Sequence, residues 1–129
     1  MSDGSQEILE VNQAFYRAFE KKDIAAMSAI WSQGISTVCI HPGRSALRGP
    51  QAIRNSWEQI FKYTNYIEID IEVISSEVSG DLGYVVLVEN LLQVSSGRRI
   101  QAQSIATNIF ERMGNTWYLV SHHGSPVMN

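Results

Sequence analysis

Between Gln6 and about Lys21, Ile8, Val11, Phe15 and Ala18 or Phe19 recur at three- and four-residue steps, while Glu7, Glu10, Gln13, Arg17 and Glu20 fall elsewhere. That spacing predicts an amphipathic helix. Asp23 stands where an N-cap belongs, its short carboxylate able to accept the free N–H groups of a second, short helix running to Trp31, and Gly34 closes the segment. Residues 35–41 are rich in β-branched side chains and end at Pro42-Gly43, which predicts a strand whose last residue is His41. Gly49-Pro50 opens a third helix with Ile53, Trp57, Ile60 and Phe61 as its apolar stripe. After Tyr63 the period changes from near four to two: Ile67, Ile69, Ile71 and Val73 alternate with Glu68, Asp70 and Glu72. Turns at Ser79-Gly80-Asp81, Ser95-Ser96-Gly97 and Met113-Gly114-Asn115 separate three further strands.

The predicted order is ααβαββββ. Four consecutive strands joined by short turns pair antiparallel, so the expected fold class is α+β with helices packed on one sheet face. The segment Tyr84–Val88 is apolar on both parities, so both of its faces need cover. Val85, Leu87, Leu91, Ile105, Ile109, Trp117 and Leu119 are assigned to the face away from the helices, and a second copy of the chain is the expected cover.

The length, 129 residues and 14.5 kDa with 44% hydrophobic residues, fits one domain over residues 1–129 with a real core. A net charge of −3 with scattered basic residues gives no footprint for nucleic acid or an anionic membrane. The polar, acidic start has no signal-peptide pattern and no apolar run is long enough for a membrane span, so a cytoplasmic protein is expected. One cysteine, Cys39, excludes an internal disulfide, and no zinc-like spacing occurs.

Ile30-Trp31, Ile40-His41-Pro42-Gly43, Leu47-Arg48-Gly49, the run Ile53–Glu58 and the run Trp117–Pro126 resemble the nuclear transport factor 2-like superfamily across nearly the whole chain. Within it the chain looks most like the SnoaL-like proteins and the association domain of calcium/calmodulin-dependent protein kinase II. The resemblance implies a cone-shaped α+β barrel, three helices against a strongly curved antiparallel sheet, a pocket between them and dimerisation through the outer sheet face. Members include isomerases, cyclases, dehydratases, transport factors and assembly modules, so fold alone does not set function.

A strand-end imidazole facing a pocket has a near-neutral reference pKa, which makes His41 the leading acid/base candidate. Its His-Pro pair resembles the Asp-Pro of steroid isomerases, where the carboxylate is the general base. The isomerase oxyanion tyrosine falls on Phe15 and the protonated aspartate on Ala106, so that chemistry is not expected here. The structural alternative is a His41 that hydrogen-bonds the Pro42-Gly43 turn. Of His122-His123, adjacent strand residues point to opposite faces, and His122 is placed toward the pocket; two histidines with no placed carboxylate give no metal site, and no cofactor is expected.

Cys39 reads as a small buried thiol. Asn90 and Asn108 interrupt apolar strands and need a partner, either a neighbour such as His122 or a ligand. The kinase association domain carries arginines where the resemblance places Val88, Asn108 and Gly124; none is arginine here, which implies a neutral, mostly apolar ligand. Trp31 and Trp57 stand on helical stripes as core or as aromatic walls. The expected pocket is therefore lined by Trp31, His41, Trp57, Val88, Asn90, Asn108 and His122, with His41 and His122 as acid/base groups of a cofactor-independent isomerase, cyclase or hydrolase. The competing expectation is a non-catalytic dimerisation or association module.

Overall fold

The computed structural model describes residues 3–128. Three helices, α1 (Ser5–Lys21), α2 (Ile24–Ile30) and α3 (Pro50–Tyr63), precede and interleave with six strands: β1 (Val38–Ile40), β2 (Leu47–Arg48), β3 (Tyr66–Ser79), β4 (Leu82–Ser95), β5 (Arg98–Met113) and β6 (Thr116–Pro126). They form one mixed sheet in the order β2-β1-β6-β5-β4-β3. The four long strands pair antiparallel as their short turns require, while β1 lies parallel to β6. The sheet is α+β and not closed by hydrogen bonds, β2 and β3 being its edges. Bulges between Val73 and Ser75 and beside Ile109/Phe110 add local bend and twist to it.

Local signals hold where they were strong. Asp23 caps α2 by accepting from the Ala26 N–H at 3.0 Å, and Pro50 opens α3. The first strand is shorter than its β-branched run predicts. Thr37 folds back on the Gly34 carbonyl through both its N–H and its hydroxyl, so residues 35–37 leave the strand and Ile35 is exposed. Strand β2, two residues long, carries no period and falls outside the predicted order.

The face assignment of β4 and β6 is corrected by one residue. Val85, Leu87, Trp117 and Leu119 are buried in the core with Ile8, Phe15, Met27, Ile53 and Trp57, and Leu91 packs against that core. Of the seven residues assigned outward, only Ile105 and Ile109 lie there, with Tyr84, Val86 and Val88. The physical reason is twofold. Apolar residues on both parities of β4 leave its facing undecided, and the bulge in β6 pairs Phe110 with Leu119 but Ile109 with Ser121, so counting in twos from His122 back to Trp117 reverses the face.

Candidate functional site

An open cleft of about 1060 Å³ lies between α3, the loop after β1 and the far end of β4. Ser56, Gln59, Ile60 and Tyr63 supply its α3 wall, Gly43–Ser45 and Leu47 its loop wall, and Gln93 and Ser95 its floor beyond Thr64. His41 stands among them, only 8% exposed. Its placement follows from β1 ending at Ile40 and from Gly124 on β6. A Cβ at Gly124 would lie 2.8 Å from Pro42 Cγ, so the bare backbone there lets the His41-Pro42 corner pack onto the sheet.

The imidazole does not hold the Pro42-Gly43 turn, which is closed instead by the Arg44 N–H donating to the His41 carbonyl at 2.9 Å. His41 Nε2 lies 3.0 Å from Ser56 Oγ, and the Ser56 hydroxyl donates to the Ile53 carbonyl at 2.7 Å. With the serine proton committed, Nε2–H is the donor to Ser56 and Nδ1 keeps the lone pair. Burial first, and the Arg44 charge second, push the His41 pKa down to about 4. The group is thus a neutral imidazole at physiological pH, able to accept a hydrogen bond at Nδ1 and too weak a base to remove an unactivated proton. Cys39 Sγ lies 3.7 Å from His41 Nε2, nearer than their spacing along the strand implies, and burial pushes the thiol up to about 12, so it is inert as a nucleophile.

Behind the cleft runs a buried polar chain. The Tyr16 hydroxyl is 2.5 Å from Glu89 Oε2; Asn108 Nδ2 donates to Tyr16 Oη at 3.2 Å and to Asn12 Oδ1 at 2.8 Å; and Asn108 Oδ1 is 2.6 Å from His122 Nδ1. Burial, ahead of the charges of His41 and His123, lowers the His122 pKa to about 3. Burial also raises the Glu89 carboxyl above its ordinary value, against the opposing pull of the Tyr16 hydrogen bond. Trp57 separates the two imidazoles, its ring centroid 4.9 Å from that of His41 and 6.3 Å from that of His122.

Of the seven positions expected to share one pocket, His41 alone lines the cleft. His122 and Asn108 bond each other in the core beneath it, the neighbour pairing that sequence allowed for Asn108. Trp31 and Trp57 line a separate cavity of about 90 Å³ between α2 and α3, with Met27, Ile53 and Arg54. Val88 and Asn90 lie away from this cleft. Their neighbour Glu89 points inward to Tyr16, so both face the outer surface, where Asn90 accepts from Gln103 at 2.9 Å. Sequence reasoning missed Ser56, Asn12, Tyr16 and Glu89. The last three had a signal: Asn12 and Tyr16 follow Ile8 at four-residue steps on the apolar stripe of α1, and Glu89 shares the parity of Val85 and Leu87.

Three helices against a six-stranded mixed sheet, four of its strands long and antiparallel, are the architecture of nuclear transport factor 2-like α+β proteins. Residues 8–129 match the SnoaL-like domain, and the chain belongs to that family. It is 30% identical, with a TM-score of 0.91, to a Streptomyces avermitilis protein assigned as a dehydratase of the NTF2-like family, covering 99% of this chain and 100% of that one. A calcium/calmodulin-dependent protein kinase type II association domain assigned in Thiobacillus denitrificans is 26% identical with a TM-score of 0.82, over 92% of this chain and 93% of that one. The Arabidopsis thaliana F-box protein SKIP8 is 23% identical over 121 residues, 94% of this chain and 50% of SKIP8, so the chain spans about half the length of this relative. No helix among the described residues is long and apolar enough to cross a membrane.

Proposed function

We propose that this SnoaL-like chain binds a neutral, mostly apolar small molecule in the cleft beside α3, with His41 as its polar anchor. The observation that carries the reading is a buried, uncharged His41 set 3.0 Å from Ser56 Oγ at the inner end of a cleft of ligand size. Leu47, Ile60 and Tyr63 offer apolar contact, Gln59 and Gln93 offer amides, and Arg44 is the one charged side chain in the lining among the described residues. A ligand hydroxyl placed at His41 would donate to the free Nδ1 lone pair, which supports isomerase-, cyclase- or dehydratase-type chemistry on an already acidic substrate without a cofactor. The similarity to the Streptomyces dehydratase points the same way.

The test is NMR with a set of neutral aromatic alcohols and phenols, observing both the ligand and the histidine ring signals, on wild type and His41→Gln. Glutamine retains size and a hydrogen-bonding end but loses the ring. A bound compound should lose about tenfold in affinity in the variant, the worth of one buried hydrogen bond. Hits that bind both proteins equally, or a set that leaves the His41 resonances unmoved, would sink the reading.

A second reading, association, has its own observation. Tyr84, Ile105 and Ile109 are large apolar side chains exposed together on the outer sheet face, Tyr84 directly opposite Ile109. Burying such a patch against a second copy would remove it from water. The similarity to the Thiobacillus association domain supports the same pairing. Sedimentation at micromolar concentration should show a dimer for wild type and a monomer for Ile105→Asp combined with Ile109→Asp. A monomeric wild type would end the dimer reading and leave the cleft reading untouched.

A further inference from the structure

We infer that Glu89 and Tyr16 are positioning residues for His122: acting through Asn108, they hold its ring as the neutral tautomer with its proton on Nδ1. His122 lies in the core beneath the cleft and does not line it, so the inference is independent of the ligand reading of His41. It reaches a residue, Glu89, that acts on His122 only through Tyr16 and Asn108.

The direction of the chain follows from counting donors. An ionised Glu89 can only accept, so the Tyr16 hydroxyl, 2.5 Å away, donates to it. The Tyr16 oxygen is then free to accept, and it takes one amide hydrogen from Asn108 Nδ2 while Asn12 Oδ1 takes the other. With both amide hydrogens committed, the Asn108 oxygen faces His122, and the contact of 2.6 Å requires His122 Nδ1 to donate. A neutral ring that carries its proton on Nδ1 keeps its lone pair on Nε2. Reversing any one link turns the amide over and moves the lone pair to the opposite nitrogen.

Such a chain is costly to bury and earns no net stability unless every member is satisfied. Asn12, Tyr16, Asn108 and His122 are at most 2% exposed and Glu89 is 8% exposed, and the chain joins α1, β4, β5 and β6. The ionisable groups about it are few. Tyr16 faces Glu89 from α1, Cys39 on β1 feels the Glu89 charge, and His41 and His123 act on His122. None of these is a cation paired with Glu89 in the described residues, so what Glu89 gives the chain is an acceptor oxygen opposite the Tyr16 hydroxyl.

Long-range proton–nitrogen correlation of the histidine rings tests the inference at pH 7 without any ligand, so an empty compound screen leaves it standing. Wild-type His122 should show the Nδ1–H pattern; the Nε2–H pattern overturns the inference at once. Glu89→Leu and Tyr16→Phe each remove a link and should split the His122 signal into both tautomers. Glu89→Gln, whose side-chain carbonyl still accepts from Tyr16, should restore the single pattern. Folded Leu and Phe variants that keep a pure Nδ1–H pattern would assign the chain to packing alone and overturn the inference. Should those two variants fail to fold, the Gln variant decides: a mixed pattern there overturns it, and a pure one supports it.

Discussion

A Trp57→Ala variant will lose about 3–5 kcal/mol of folding stability, read as a fall in the urea midpoint at unchanged slope. Trp57 has no exposed surface and stands at the point where helices and sheet meet. Its ring lies 5.5 Å from Phe15 and 4.8 Å from Phe19 on α1, 5.8 Å from Phe61 on its own helix, and edge-on to His41 at the end of β1. Truncation therefore opens a cavity whose walls belong to different elements, and such walls collapse poorly. A domain of this size has about 5–15 kcal/mol in total, so the loss would bring the fold near its threshold. Trp57→Phe, which keeps an aromatic ring in the stack, should cost clearly less. A loss below about 1.5 kcal/mol for the alanine variant would mean that the site relaxes freely and that Trp57 is a soft wall instead of the keystone of the core.

The helices were legible because their apolar positions repeat every three or four residues, and the cap at Asp23 and the proline at Pro50 mark their starts with a mechanism. Strand β3 was legible at its alternating beginning. The facing of β4 was not, because Val85, Val86, Leu87 and Val88 are all apolar and nothing local says which pair the helices cover. The decision is made by pairing across strands: Val85 opposite Asn108 and Asn108 opposite His122 put these three on the concave face together. Parity within one strand cannot supply that register, and placing Asn90 and Asn108 on a common face failed for this reason. Glu89 held the missing information. A single charge inside an apolar strand marks either the wet face or a partnered interior acid, and its shared parity with Val85 and Leu87 becomes decisive only once Tyr16 is seen opposite it.

His41 was legible as chemistry because Pro42 and the strand end isolate it, whereas its partner was not. Ser56 sits beside Trp57 in a helical pattern where a serine reads as surface. What brings the two together is the packing of α3 over the end of β1, a contact between segments 15 residues apart that no spacing rule encodes. The cleft itself depends on the loop after β1 and on the short strand β2, both without periodicity, so its walls could not be drawn from sequence.

Acidification should weaken the fold from just below pH 6.5, well before the surface carboxylates protonate. In the native state burial holds His41 down to about 4 and His122 down to about 3, while in the unfolded chain both titrate near 6.5. Between those values the unfolded state binds more protons, so stability rises with pH across the window and is lost as pH falls through it. Their stabilising neutrality is fully present above about 6.5. By pH 5 each histidine has forfeited about 2 kcal/mol, roughly 4 kcal/mol for the pair. Glu89 works the other way. Its native pKa is raised, so the folded state binds a proton earlier than the unfolded chain does, and this offsets part of the loss at the acid end of the window. Urea midpoints at pH 7, 6 and 5 measure the balance: wild type should fall steadily with acidification, and His41→Gln should fall with about half that slope because one of the two titrating groups is gone. A wild-type midpoint that stays level from pH 7 to pH 5 would show that the imidazoles are not held neutral by burial, and with them would go the physical basis for reading His41 as a buried hydrogen-bonding anchor.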